Sequence, residues 1–367
     1  MHHHQHSCSI AFGCPDFVLR PGRRLAGRCG LLIALLAALP LPALAQEAPP
    51  AEAKLSAVEK LRQEAAALKA LVKSEAAQAF LAATADLPPG AARVIYRSQD
   101  RAKAWTEQEA AKLPEAERKE LTRREYDEFF YYYTGYGSPL MYARPLDIAS
   151  QAGLGSFAGK RILDFGYGTV GHARLLASLG ADFVGVEVEP VLRALYSEPG
   201  DQGTIRGPGD RTGHIRLLHG RFPAEAEITT AVGDGYDLML SKNTLKRGYI
   251  HPEREVDERF LVKLGVDDEA FLRKSYALLK PGGLLLIYNL APAQNPPDQP
   301  FLPHADGRCP FERALIEKVG FEVIKFDEDD QPAILDFWIA LGLHNDQPRD
   351  KVAKELFAMY TLLRKPA

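Results

Sequence analysis

The stretch Asp164-Phe165-Gly166-Tyr167-Gly168-Thr169-Val170-Gly171 joins a carboxylate to three glycines at the point where an apolar run ends. Glycines there permit a tight turn and let a ligand approach the backbone. Read literally, Gly166, Gly168 and Gly171 form G-x-G-x-x-G, a nucleotide-binding fingerprint. Glu187 follows 21 residues after Gly166, where an acid accepts from ribose hydroxyls. Asp164 separates two kinds of nucleotide. A carboxylate repels a pyrophosphate, by about 4 kcal/mol for unit charges 4 Å apart at an effective dielectric near 20. The same charge attracts a ligand that carries sulfonium and ammonium groups.

These residues need a strand to end on and a helix to start. From Lys160 onward apolar strands alternate with helices, which implies a parallel sheet with helices on both faces. Strands are predicted at Arg161–Phe165, Phe183–Glu187, Ile215–Leu218, Tyr236–Ser241, Leu284–Tyr288 and Phe321–Phe326, with Glu355–Leu363 as a final edge strand. Helices fit His172–Leu179 and Glu269–Leu279, and the Gly-rich stretch from Gly200 to Gly213 reads as a surface loop. Upstream, Val58, Leu61, Ala65, Leu68 and Val72 recur at helical spacing. A second charged helix is predicted from Thr106 to Arg124. It runs into an aromatic cluster (Tyr126, Phe129, Phe130, Tyr131, Tyr132, Tyr133, Tyr136 and Tyr142) that reads as core, a domain seam or a lid over a ligand.

The motif D-x-G-x-G resembles the first motif of class I S-adenosylmethionine-dependent methyltransferases. The resemblance continues in Val184-Gly185-Val186-Glu187, in Tyr236-Asp237-Leu238-Met239-Leu240-Ser241 and in Leu278-Leu279-Lys280-Pro281-Gly282-Gly283-Leu284-Leu285. It implies a Rossmann-like, doubly wound α/β fold with a mostly parallel seven-stranded sheet over residues 160–367, and S-adenosyl-L-methionine as cofactor. By that resemblance Gly166 and Gly168 lie against the methionine part, Asp164 faces its positive groups and Glu187 accepts from the ribose. Ser241 ends the fourth strand beside the same ligand. Val170 stands where the family usually has glycine, so the resemblance leaves Gly171 to supply the close approach one position late. The family's acid after the third strand is missing too. His219-Gly220-Arg221-Phe222 stands there, so the adenine contact falls to the backbone of Gly220 and Arg221 or to stacking.

The segment Ser241-Lys242-Asn243-Thr244-Leu245-Lys246-Arg247-Gly248-Tyr249-Ile250-His251 occupies the place that borders the acceptor in that family. It lacks the N-P-P-Y signature of enzymes that methylate planar amino groups. Lys242 and Asn243 fall at a strand's carboxyl end, where open α/β sheets bind ligands. His251 is the candidate base, although a lone loop histidine is more often polar surface. Lys246 and Arg247 either hold an acidic substrate or are solvated, and Tyr288 and Asn289 are further pocket candidates. The histidines after residue 45 and Cys309 show no metal-ligand spacing.

At the amino terminus, Arg20, Arg23, Arg24 and Arg28 precede an apolar run from Leu31 to Leu41 and then Ala43-Leu44-Ala45. This reads as a signal peptide over residues 1–45, cut before Gln46, and hence as a periplasmic or secreted protein. The run is too short for a membrane span, which needs about 20 residues. Removing those four arginines and Asp16 from 45 basic and 48 acidic residues leaves 41 against 47, a net charge of −6. That balance argues against a nucleic-acid partner, whose affinity comes mainly from a basic face. The expected organisation is leader (1–45), helical N-terminal extension (46–125), aromatic-rich cap or linker (126–159) and Rossmann-like domain (160–367). Methyl transfer to a small-molecule or envelope acceptor is the leading expectation. A catalytically silent binding or scaffold domain and an NAD-dependent oxidoreductase are the alternatives.

Overall fold

The computed structural model describes residues 55–296 and 299–367. The expected leader and its cleavage point lie outside these residues. Among the described residues no helix is long and apolar enough to cross a membrane.

Three short strands, β1 (Arg93–Arg97), β2 (Ala104–Thr106) and β3 (Thr122–Tyr126), form an antiparallel sheet in the order β2-β1-β3. The main sheet uses β4 (Arg161–Phe165), β5 (Asp182–Glu187), β6 (Gly203–Arg206), β7 (Thr212–His219), β8 (Tyr236–Lys242), β9 (Leu279–Pro292), β10 (Glu322–Asp329) and β11 (Leu356–Arg364). Their order is β10-β11-β9-β8-β4-β5-β7-β6. Strands β4, β5, β7, β8 and β9 run parallel, while β11 is antiparallel to both neighbours. Seven strands therefore make the expected Rossmann-like doubly wound sheet, and β6 adds an eighth at one edge.

The chain winds outward from β4 through β5 to β7, then returns to β8 on the other side. The order reverses between β4 and β8, and such a switch point opens a crevice at the strands' carboxyl ends. The central strands are apolar on both faces because helices cover both. Ile162, Phe183, Leu238 and Leu286 face one core, and Leu163, Val184, Met239 and Leu285 face the other. The first core contains the helix Ala57–Leu68, with Val58, Leu61, Ala65 and Leu68 buried as their spacing predicts. Ser56 and Glu59 close a capping box at its start.

Three expectations are corrected. The N-terminal extension is not wholly helical. The stretch from Thr106 to Arg124 forms the short helices Glu107–Ala111 and Glu115–Lys119 and then enters β3. Pro114 caps the second helix, and the pairing of Arg93–Arg97 with Thr122–Tyr126 draws the following residues into a strand. The carboxyl-terminal strand β11 is not an edge. It lies between β9 and β10, as its buried Leu356, Ala358, Leu362 and Leu363 require. The Gly200–Gly213 stretch is no open loop either, since β6 pairs with β7 in a hairpin. At the opposite edge β10 carries two register shifts and the charged residues Lys325, Asp327 and Glu328.

Leu61 has no solvent exposure and joins the extension to the main core. Leu61→Ala is expected to lower the unfolding free energy by about 2–5 kcal/mol, the usual range for emptying a core leucine position. Urea denaturation of both proteins measures it. A loss below 1 kcal/mol would show that the extension does not share the domain's core.

Candidate functional site

Asp164 is the penultimate residue of β4, at the switch point, and has no solvent exposure. Its Oδ2 lies 2.7 Å from His172 Nε2, in the helix Gly171–Ser178 that follows the glycine turn. A carboxylate only accepts, so the imidazole donates through Nε2. Burial lowers the pKa of His172, against the pull of Asp164. The imidazole stacks on Tyr142 with ring centroids 3.6 Å apart and planes 4° from parallel. The Tyr142 hydroxyl lies beside Asp164, and burial together with that charge raises its pKa well above the ordinary value. Asp164 Oδ1 and His172 Nδ1 are both buried without a hydrogen-bond partner.

Gly166 and Gly168 take positive φ of 83° and 58°, the left-handed region that favours glycine. Their open faces are covered by the chain itself. A Cβ on Gly166 would meet the Thr244 side chain, and one on Gly168 would meet the Tyr136 ring at 3.1 Å. Thr134 Oγ1 also donates to the Gly168 carbonyl at 2.9 Å. Gly171 is a correction: its missing side chain makes room for Pro139, 2.7 Å from an added Cβ, and not for a ligand. The substitution of Val170 is explained in the same way, because Val170 is fully buried in the core.

Glu187 ends β5 and is nine-tenths buried. Its Oε1 accepts from the Val188 amide at 2.7 Å and the Glu189 amide at 3.2 Å, and its Oε2 accepts from the Gly168 amide at 3.3 Å. Burial raises its pKa, opposed by those three amide hydrogens. Beside it Val188 is 60% exposed, and above Gly168 Tyr136 is 37% exposed. Two of the few exposed large apolar side chains among the described residues thus flank the same turn. Beneath the turn the buried Tyr167 hydroxyl bonds His219 Nε2 at 3.0 Å.

The remaining expected residues scatter. Gly220 stays beside Glu187, its amide donating to the Glu187 carbonyl at 3.0 Å, and Arg221 is exposed. Ser241 is buried, with its Oγ accepting from the Leu245 amide at 3.2 Å. Asn243, at φ 66°, ties β8 to β9: its amide donates to the Tyr288 carbonyl and its Oδ1 accepts from the Leu290 amide. Tyr288 donates to Asp330 at 2.8 Å, and Asn289 donates to the carbonyls of Leu245 and Gly307. Arg247 pairs with Glu312, while buried Lys246 donates to the Leu290 carbonyl at 2.5 Å.

His251 is also corrected. It pairs with Asp268 at 2.9 Å beside a cleft of about 870 Å³ lined by Tyr249, Leu261, Val262, Leu264 and Leu315. No residue of the glycine turn, nor Asp164 or Glu187, lines that cleft. Lys242 does belong to the turn's surroundings. Its ammonium stands 5.1 Å from the centre of the Tyr142 ring. Burial lowers its pKa to about 8, with Asp164 pulling the other way. Tyr136 and Tyr142 stand in the aromatic cluster and Thr244 in the acceptor-side segment, whereas His172 and Val188 carry no expectation from the sequence. For His172 a signal was present, a histidine eight residues after Asp164 on the helix that the turn opens.

No family model matches the chain, and no curated protein matches it in sequence. Among solved structures it is similar to a proposed sarcosine dimethylglycine methyltransferase from Galdieria sulphuraria, at 14% identity over 64% of this chain and 87% of that one, with a TM-score of 0.39. It is similar to a proposed S-adenosylmethionine-dependent methyltransferase from Listeria monocytogenes at 16% identity, over 60% and 96%, with a TM-score of 0.37. The cyclopropane synthase MmaA2 from Mycobacterium tuberculosis matches at 17% identity, over 60% and 83%, with a TM-score of 0.36. None of these likenesses bears on a substrate.

Burial holds the His219 pKa down at about 4, against an ordinary value of 6.5. Between those values the unfolded chain binds more protons, so stability is full above about pH 6.5 and falls as pH drops toward 4. His172 adds in the same direction. His219→Gln keeps an acceptor for Tyr167 and does not titrate. Thermal unfolding from pH 7 to pH 4 should therefore show a shallower loss in the variant, and equal slopes would overturn this account.

Proposed function

We propose that the chain binds S-adenosylmethionine in the crevice between β4 and β8 and transfers its methyl group to a small-molecule or envelope acceptor. One observation carries this reading. Asp164 presents a buried carboxylate oxygen without a partner at the switch point. A buried carboxylate oxygen left without a donor costs about 1–3 kcal/mol, and a cationic ligand relieves that cost where a pyrophosphate would add to it. The residues fit the rest of the nucleoside: Glu187 to accept from ribose hydroxyls and exposed Val188 to lie against the base. When bound, the cofactor supplies an electrophilic methyl group.

The chain's own part is to bind, align and exclude water. Tyr136 lies over Gly168 and would border a ligand at the turn. Removal of an acceptor proton is assigned to no residue, since His251 stands in a separate cleft. The leader pattern of residues 1–45 supports an acceptor outside the cytoplasm. A silent binding domain is the second reading, favoured by Thr244 and Tyr136 filling the faces of Gly166 and Gly168.

Calorimetry on the purified chain should give heats of binding with S-adenosylmethionine and S-adenosylhomocysteine and none with NAD. Glu187→Ala should weaken S-adenosylhomocysteine by about 1.5–3 kcal/mol, the scale of hydrogen bonds to a charged group. Asp164→Asn should weaken both sulfur ligands, by a similar factor where Asp164 reads only their shared ammonium and more for the sulfonium ligand where it also faces the sulfonium. Binding of NAD alone would sink the methyl-donor reading. Tight binding of the sulfur ligands with no methyl released to any acceptor would favour the silent domain.

A further inference from the structure

Two opposite charges border the crevice between β4 and β8 without meeting. Asp164 Oδ1 is buried and unpartnered at the end of β4. Lys242 closes β8, and among the described residues its ammonium makes no hydrogen bond and no ion pair; it rests over the face of the Tyr142 ring. The register sets Asp164 beside Leu240, so Lys242 starts two residues, about 6.6 Å, nearer the mouth of the crevice. The neighbouring groups are already engaged. His172 Nε2 donates to the other Asp164 oxygen, the Tyr142 hydroxyl donates to the Tyr167 carbonyl at 3.5 Å, and Lys246 donates to the Leu290 carbonyl. A ligand that satisfies both free ends must carry a cation and an anion a short distance apart. An α-amino acid group does so. Its nitrogen and carboxylate carbon are about 2.5 Å apart, and a charge-assisted hydrogen bond of about 2.8 Å at each end extends the span to roughly 8 Å.

We propose that Asp164 and Lys242 read the two ends of one α-amino acid group, Asp164 taking the ammonium and Lys242 the carboxylate. This rests on the methyl-donor reading above, in which that group is the methionine end of S-adenosylmethionine. Lys242 is then a specificity-determining residue. It selects nucleosides that retain the amino acid over those that have lost it. Asp164 also acts on Lys242 directly, because its charge opposes the loss of the lysine proton. Tyr142 holds the stem in place through its ring.

The test compares S-adenosylhomocysteine with 5′-methylthioadenosine, which has the same nucleoside and sulfur but no amino acid, by calorimetry on the full chain. Lys242→Met removes the charge from a half-buried side chain that makes no hydrogen bond, and a thermal melt checks that the variant folds. Lys242→Met should weaken S-adenosylhomocysteine about ten- to a hundredfold, the range for one lost charged hydrogen bond. It should leave 5′-methylthioadenosine unchanged, and Lys242→Arg should restore most of the difference. If Lys242→Met binds S-adenosylhomocysteine as the wild type does, or loses both ligands equally, Lys242 does not read the carboxylate, and the methyl-donor reading stands without it. If the wild type binds neither nucleoside, the methyl-donor reading falls and this inference falls with it.

Discussion

A carboxylate sealed from water at the end of the central strand is the constraint around which the rest of the molecule is arranged. An ionised Asp164 needs a donor, and His172 supplies it from the next helix. The imidazole in turn needs a cover, which Tyr142 provides by stacking on it. Tyr142 belongs to the short turn Pro139–Tyr142, and Ser138, just before it, donates to the buried Glu64 of the helix Ala57–Leu68 at 2.6 Å. Gly171 lacks a side chain so that Pro139 of the same turn can approach. The N-terminal extension is thus linked to the glycine turn through packing and hydrogen bonds, although more than a hundred residues separate Glu64 from His172. Buried polar networks of this kind are stabilising when filled and costly when broken. The two atoms left unpartnered in this one, Asp164 Oδ1 and His172 Nδ1, are where it differs from a purely structural device.

Much of this was legible in the residues. The parallel strands read directly because both faces of β4, β5, β8 and β9 are covered, so nearly every position is apolar. The glycine turn and its two flanking acids announce themselves by position at strand ends. What escaped depends on tertiary pairing. The residues Thr122–Tyr126 are charged and helix-prone, and only the antiparallel match to Arg93–Arg97 makes them a strand. β11 reads as a strand from its apolar run, but its place inside the sheet depends on which neighbours close on it. The site partners Tyr136 and Thr244 are local polar or aromatic residues whose meeting with glycines some 30 and 80 positions away has no counterpart in spacing.

The segment after β8 shows how one run of polar residues divides its duties. Ser241 and Asn243 turn inward to brace the strand's exit, Lys246 is spent on a carbonyl and Arg247 on a surface carboxylate. Among the described residues the Lys242 ammonium makes no hydrogen bond and rests over the Tyr142 ring. His251 ends the run beside Asp268, over a separate cleft, so the most reactive-looking residue of the segment is not the one nearest the nucleotide-type turn.

The two borders of the main sheet bear on how the chain behaves in company. An unpaired strand offers a row of amides to any passing strand and invites stacking into larger assemblies. Here β6 has only four residues, and β10 is kinked by two bulges and studded with Lys325, Asp327 and Glu328. Bulges and inward or flanking charges spoil the straight ladder that such recruitment needs. Neither border of the main sheet offers a long straight ladder, so recruitment of a further strand along it is disfavoured.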